Sequence, residues 1–345
     1  MPTLSADALR GISHAILEAL GTPPDLARFV GDSLVDANLA GHDSHGVLLL
    51  EPYVRAVWAG DVQPAARPAV TGRRGATARI DGAWGWGQPP MMLATETVIA
   101  LARAHGVGAA TVVRCYHVGR VAPYVESIAR AGLVGIAMVN TLPLVAPHGG
   151  RTRVLGTNPI AWAVPRGAGH EPLSFDAATS GIASNKVRLA QAQGALVPPG
   201  FLVDVDGRLT QDPDALCRGG ALLPFGGHKG YALSVLIQVL GRGLMGIDAT
   251  GYEGPRGANG PLVFALDPTA FVSLDVFTRE VDAQCAALQA VPPAEGVEAV
   301  LLPGEPELAT RCRREYEGIP IPERFWSELL ALSEELGVAC AGIGS

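Results

Sequence analysis

Lysine is almost absent from this chain: of 26 basic residues only Lys186 and Lys229 are lysine, and the other 24 are arginine. With a formal net charge of −7, the chain has no cationic surplus to attract nucleic acid or an anionic membrane, and neither is expected as a partner. Long hydrophobic runs are also missing. The longest, Tyr231 to Leu240, stops before Arg242, well short of the ~18 residues that cross a bilayer. The start, Met1-Pro2-Thr3-Leu4-Ser5-Ala6-Asp7, has neither a basic nor an apolar signal segment. A soluble, cytoplasmic protein is the expectation. Cysteines number five, at 115, 217, 285, 312 and 340, with no C-x-x-C pair. A disulfide framework or a structural zinc site has no support in that scatter, and no metal is expected. Cys115 and His117 could share a strand face, but a small buried filler is the weightier reading of the cysteine.

What is present is a core-forming composition: 345 residues, 48% hydrophobic, with 43 Gly and 27 Pro. At roughly 150 residues per domain this is about two domains. Apolar residues at helical spacing after Ser5 (Leu9, Ile12, Ile16, Leu17, Leu20), then Leu26, Phe29, Val30 and Leu34, make residues 4–58 helical, with a third helix from Ser44–Leu50 to Trp58. Residues 59–76 read as a linker. Beyond it the pattern alternates: strands at Thr77–Ile80, Ala110–Arg114, Gly135–Asn140, Ala161–Val164, Leu173–Phe175, Leu262–Ala265 and Ala299–Leu302. Helices are expected at Met91–His105 and Val121–Ala131, a buried one at Tyr231–Leu240, and a terminal one at Pro322–Leu336. Residues 190–220 read as a long surface excursion. The fold class is mixed α/β (α+β): a helical domain built from both termini (1–72 with 310–345) and an α/β domain (73–309).

One motif misleads. Gly241-Arg242-Gly243-Leu244-Met245-Gly246 matches G-x-G-x-x-G, yet a dinucleotide fingerprint needs a strand before it and a helix after it. Here a helix precedes, and Asp248–Gly257 cannot continue as one.

Chemistry-bearing residues cluster elsewhere. Gly41-His42-Asp43-Ser44-His45-Gly46-Val47 packs two histidines, an acid and a hydroxyl among glycines. As a helix cap it accounts for Asp43 and Ser44 but leaves His45 unexplained. His117, in Cys115-Tyr116-His117-Val118-Gly119-Arg120, ends a predicted buried strand, a good place for a proton donor or acceptor. Further clusters are Asn140-Thr141, Leu155-Gly156-Thr157-Asn158-Pro159, Phe175-Asp176-Ala177, Phe225-Gly226-Gly227-His228-Lys229 and Pro303-Gly304-Glu305-Pro306. Glycine-freed amides beside Lys229 would suit a phosphate.

In order and content these clusters resemble the malate/L-lactate dehydrogenase family that lacks a Rossmann domain, from about Leu9 to Val338. The resemblance implies an oxidoreductase that uses NAD or NADP on a 2-hydroxy or 2-oxo acid, or reduces a cyclic imine-2-carboxylate. It implies a non-Rossmann nucleotide domain and a homodimer. On the matching positions, His117 is the acid/base residue and His45, with Ser44, belongs to the substrate motif. Thr141, Phe175, Asp176, Ala177, His228, Lys229, Gly304, Glu305 and Pro306 fall where the cofactor is held. Arg120 and Asn158 are expected at the substrate. So is Leu49, which stands where many members have a carboxylate-binding arginine. Two other readings stay open: a metal-dependent lyase or hydrolase using His42, His45 and His117, and an inactive paralogue that only binds a metabolite.

Overall fold

Ser5 ends the extended start of the chain by accepting a hydrogen bond from the Ala8 amide at 3.2 Å, which caps the first helix. In the computed structural model, which describes residues 2–246 and 258–338 without the side chains of Asn185 and Ala192, β1 (Thr3–Leu4) precedes α1 (Ala6–Ala19) and α2 (Pro24–Leu39). Two short 3₁₀ turns, Asp43–His45 and Val47–Leu49, lead into α3 (Leu50–Trp58). The chain continues through β2 (Ala69–Arg74), β3 (Thr77–Asp81), α4 (Gln88–His105), β4 (Val107–Val113), α5 (Ala122–Arg130), β5 (Val134–Asn140), β6 (Ile160–Val164) and β7 (Leu173–Ala177). Then come α6 (Ser184–Ala192), β8 (Leu202–Val203), α7 (Asp214–Cys217), β9 (Ala221–Leu222), α8 (His228–Met245) and β10 (Gly260–Leu266). The last elements are α9 (Leu274–Gln289), α10 (Glu305–Glu317), β11 (Ile319–Pro320) and α11 (Glu323–Glu335).

Seven strands form the central sheet in the order β2-β3-β4-β10-β5-β6-β7. Only β3 and β4 run parallel; every other neighbour is antiparallel. A doubly wound nucleotide fold needs consecutive parallel strands, so this sheet is of another kind. Helices α4 and α5 pack on the sheet over one core (Ile80, Val98, Val112, Val125, Ile128, Val139, Val263). The chain ends meet: β1 pairs antiparallel with β11. A second core joins α1, α2 and α3 to Ile319, Ile321, Leu329 and Leu332 from the far end of the sequence.

Four expectations are corrected. The stretch 59–76, read as a linker, contains β2, an edge strand with almost no buried side chain and hence no apolar alternation to announce it; it runs across the 72/73 division. Residues 190–220 are not a bare excursion, because Val197, Leu202 and Ala215 are buried in a small core of their own with Val145 and Leu222. Ala299–Leu302 is irregular, and Leu301 points outward. The helix at Tyr231–Leu240 is not buried all round, since Leu236 and Val239 of α8 are exposed. Two helices were unexpected. In α9 only Cys285 is buried, and in α10 nothing is, so neither has an apolar stripe. Helix α10 is held by charge, Arg311 lying 3.6 Å from Asp36 and Arg314 gripping Asp43. It starts at the Pro303–Pro306 cluster and crosses the 309/310 division.

The glycine fingerprint is the end of α8, its last glycine, Gly246, being the left-handed cap that closes the helix. A Cβ on Gly241 would come 2.5 Å from Asn140 Cβ and 2.7 Å from the Gly260 carbonyl. The glycine lets the helix touch β5 and β10; it cradles no phosphate. The segment 248–257 that follows, and Cys340 with the end of the 310–345 stretch, lie outside the described residues.

Candidate active site

His117 follows β4 on an irregular loop, and every atom near its Nδ1 is fixed. The Tyr53 hydroxyl lies 2.9 Å away and the Gly119 amide 3.3 Å away. A backbone N–H can only donate, so Nδ1 is an acceptor and the neutral ring carries its proton on Nε2. Tyr53 comes from α3, and its hydroxyl receives a hydrogen bond from Gln88 Nε2 at 2.9 Å, at the start of α4. Gly119 adopts φ +73°, the left-handed conformation that turns its amide back onto the ring. Gln88 is fully buried, and its Oε1 has no partner. Sequence reasoning missed both Tyr53 and Gln88. Nothing in their local pattern pairs them with a histidine on another element.

His45 stands beside His117, ring centroids 5.9 Å apart and planes 19° from parallel. Its loop is pinned from two sides. Asn38 of α2 accepts the Val47 amide at 2.8 Å and donates to Asp43 at 2.7 Å. Arg314 of α10 grips both oxygens of Asp43 at 2.6 and 3.0 Å and also reaches the Asn38 carbonyl. Asp43 is therefore an anchor, and Ser44 Oγ lies 3.0 Å from His45 Nδ1. The cap reading of Asp43 and Ser44 gives way to this arrangement.

Burial pushes His117 down to about 3, with His45 adding repulsion. It pushes His45 down to about 4, where Asp176 opposes the shift and His42 and Arg120 add to it. Both rings are neutral near pH 7. Arg120 is buried; its NH2 is 3.5 Å from Glu126 and its Nε has no partner. Asp176 accepts the Val121 and Ala122 amides, each at 2.8 Å, on one oxygen, so it caps α5 and holds the Gly119–Val121 segment in place. His42 pairs with Glu307 of α10 at 3.3 Å, which lowers the Glu307 carboxyl. Cys115, the imagined partner of His117, is buried in apolar surroundings that push its thiol far above its usual range. It is no nucleophile. Among the described residues no group of three or more His, Cys, Asp or Glu is arranged to hold a metal.

Two expected substrate residues lie elsewhere. Leu49 packs into the helical core with Val47, Leu50 and Tyr53. Its burial in that cluster makes it a core residue. Asn158 is fully buried at φ +38°. Its side chain donates to Ser234 Oγ at 3.1 Å and Gln238 at 2.9 Å and accepts the Thr141 amide at 3.1 Å. It is a keystone between α8 and the end of β5, with no atom left for a substrate.

The remaining positions form a second group along β7 and α8. Thr141 Oγ1 accepts the Thr157 amide at 2.9 Å. Phe175 is half-exposed on β7, its ring 5.9 Å from that of Trp162, and Ala177 pairs with Ile160. Thr179, two residues on, accepts the Phe225 amide at 3.0 Å and so fixes the approach to α8. Gly226 and Gly227, both left-handed (φ +56° and +63°), present His228 and Lys229 exposed at the helix start, with His148 6.2 Å from His228. Gly304 (φ +93°) abuts Ser174 of β7, where a Cβ would sit 2.8 Å from Oγ. The Glu305 carboxylate is taken up by the Leu302 amide and Gln289, and Pro306 opens α10.

Comparison with known proteins gives the family. The family model described as malate/L-lactate dehydrogenase matches residues 4–330. The chain belongs to the malate/L-lactate dehydrogenase family. It is similar to an L-lactate dehydrogenase from Cupriavidus necator, 36% identical over 97% of this chain and 98% of that one. It is also similar to a Δ1-pyrroline-2-carboxylate/Δ1-piperideine-2-carboxylate reductase from Pseudomonas putida, 35% identical over 95% of each. Among solved structures, a putative malate/lactate dehydrogenase from E. coli superposes with a TM-score of 0.92 at 33% identity, covering 98% of this chain and 96% of that chain. The chain is thus an oxidoreductase of the class acting on hydroxy acids or imines, and a dehydrogenase of this family implies a nicotinamide cofactor.

Proposed function

We propose that this chain transfers hydride between a nicotinamide dinucleotide and a small 2-oxo or 2-hydroxy acid, with His117 as acid/base and His45 beside the reacting oxygen. The observation that carries the reading is the stacked His45–His117 pair, with the His117 tautomer fixed by Tyr53 and Gly119. The second group of residues suits the dinucleotide. The α8 start offers Lys229, His228 and the positive end of an 18-residue helix to phosphate. Thr141 follows β5, Phe175 and Ala177 share one face of β7, Gly304 lies against Ser174 of the same edge strand, and Asp176 acts by holding α5. Bound there, the nicotinamide supplies or accepts the hydride.

The proton is the protein's task. Reduction builds negative charge on the substrate oxygen, and the neutral His117 ring can offer it an Nε2–H hydrogen bond. The developing charge favours taking up a second proton, so that the imidazolium gives its Nε2 proton to the oxygen and returns to the neutral ring. When the ring holds two protons, Nδ1–H needs an acceptor. The Tyr53 hydroxyl, whose oxygen already takes the Gln88 Nε2–H, can turn its proton away and accept it. A cyclic imine-2-carboxylate presents C=N beside the same carboxylate. The relative named for that reaction makes it the second reading. We further propose a cytoplasmic homodimer, the exposed Leu236, Val239 and Leu244 of α8 meeting a second copy. The helical and sheet cores act as the two walls of the cleft. The test is a panel of 2-oxo acids and cyclic imines with NADH and NADPH, followed at 340 nm, in wild type and His117→Ala. Turnover lowered at least ~100-fold with nucleotide affinity retained is expected. A variant keeping a third of wild-type kcat with chemistry rate-limiting refutes the assignment.

A further inference from the structure

Arg120 is a buried cation that the protein leaves incompletely neutralised. It is 8% exposed. Its neighbours in sequence are locked, the Gly119 amide on His117 Nδ1 and the Val121 amide on Asp176, so the side chain starts from between the proton donor and the cap of α5. Its single ion pair is loose: Glu126 Oε1 lies 3.5 Å from NH2, and that oxygen already takes the Ser174 hydroxyl at 3.2 Å. The other Glu126 oxygen faces Arg130 at 3.6 Å. Nε is buried with no partner at all. Such a group is costly unless an anion completes it, and adjacent guanidinium N–H groups match the two oxygens of a carboxylate.

We infer that Arg120 is the carboxylate anchor of this site and that it selects monocarboxylic over dicarboxylic substrates. The inference rests on the function proposed above and names its substrate class. Arg120 directly follows Gly119, whose amide bonds His117 Nδ1, so it lies beside the reacting pair, and its charge is felt at both His45 and Glu307. The other charges around that cleft are mostly negative. Asp176, Glu307 and Glu126 are carboxylates, His42 is engaged by Glu307, and Arg314 is engaged by Asp43. Among the described residues, Arg120 is the arginine whose charge is felt at His45. One substrate carboxylate therefore finds a partner, while a second would be desolvated among carboxylates.

The experiment compares a straight-chain 2-oxo monocarboxylate, its amide, and a 2-oxo dicarboxylate in wild type, Arg120→Lys and Arg120→Met/Glu126→Gln. The double variant removes both charges and strands no buried carboxylate. Wild type is expected to prefer the acid over both its amide and the dicarboxylate by at least ~10-fold. The double variant should lose about 10- to 100-fold in kcat/KM on the acid, mainly in KM, and leave the amide unchanged. Oxamate, an unreactive monoanion, should raise the melting temperature of wild type and not of the double variant. Equal losses on acid and amide, or a wild-type preference for the dicarboxylate, overturn the inference. If the double variant does not fold, Arg120→Lys decides: a raised KM confined to the acid supports the anchor, and equal change on both substrates refutes it. If wild type reduces no acid or imine yet oxamate binding depends on Arg120, the anchor stands and the proposed reaction falls.

Discussion

Removing a single oxygen, Tyr53→Phe, tests whether the site works as described. The hydroxyl bridges Gln88 Nε2 and His117 Nδ1, both at 2.9 Å. Gln88 Oε1 already lacks a partner, so the variant leaves a fully buried amide with no hydrogen bond and costs about 2–3 kcal/mol. For a chain of 345 residues, unfolding entropy near 2.1 cal/mol/K per residue makes that a fall of roughly 3–4 °C in melting temperature. The catalytic effect is separate. His117 keeps the Gly119 amide at 3.3 Å and loses the shorter of its two orienting bonds, about 1–2 kcal/mol of orientation or ~5- to 30-fold in kcat. Scanning calorimetry reads the first quantity and single-turnover oxidation of NADH the second. The decisive readout is the ¹⁵N spectrum of labelled histidine. Wild-type His117 should show the Nε2–H tautomer, and Tyr53→Phe a mixture. A variant that keeps the pure tautomer and wild-type kcat, whatever its stability, would sink the claim that Tyr53 positions His117.

Other outcomes follow from the same geometry. Leu49→Arg places a guanidinium in the helical core and should lower stability by at least ~3 kcal/mol without changing the ranking of substrates; a stable variant with altered preference would return Leu49 to the substrate pocket. His45 and His117 titrate at about 4 and 3 in the fold but near 6.5 when unfolded. The unfolded chain therefore binds more protons below pH 6.5, and the melting temperature should fall as pH drops from about 6.5 to 4. His117→Gln should lessen that fall, and a wild-type melting temperature flat across the window contradicts the burial of both rings. Lys229→Ala should weaken nucleotide binding severalfold with little change in the chemical step; an unchanged dissociation constant by NADH fluorescence means that Lys229 only meets solvent.

What was legible in the sequence was what neighbours within a few residues decide. Ser5 and the apolar spacing that follows specify α1. Gly106 closes α4 in a left-handed cap, and apolar runs between turn residues mark β4 to β7. The helix before Gly246 disposes of the glycine fingerprint. The histidine motifs were legible as chemistry because their residue types are unusual in a loop. Elements stabilised from afar were not. β2 lies at the sheet edge and shows no alternation; α10 buries nothing and depends on ion pairs to α2 and the Asp43 loop.

The site divides in the same way. His45, His117 and the glycine loops are written in the chain as local motifs. Only the tertiary structure sets the rings 5.9 Å apart, supplies Tyr53 and Gln88 from two other helices, and moves Asn158 and Leu49 from substrate to framework. The physical reason is range. Caps, turns and apolar periodicity act over about one helical turn and survive in a linear reading. Burial, proton affinity and the pairing of charges are properties of a place in space. Arg120 is an ordinary arginine in the sequence. It becomes a buried and half-answered cation only where the loop after β4 folds back onto Glu126 of α5.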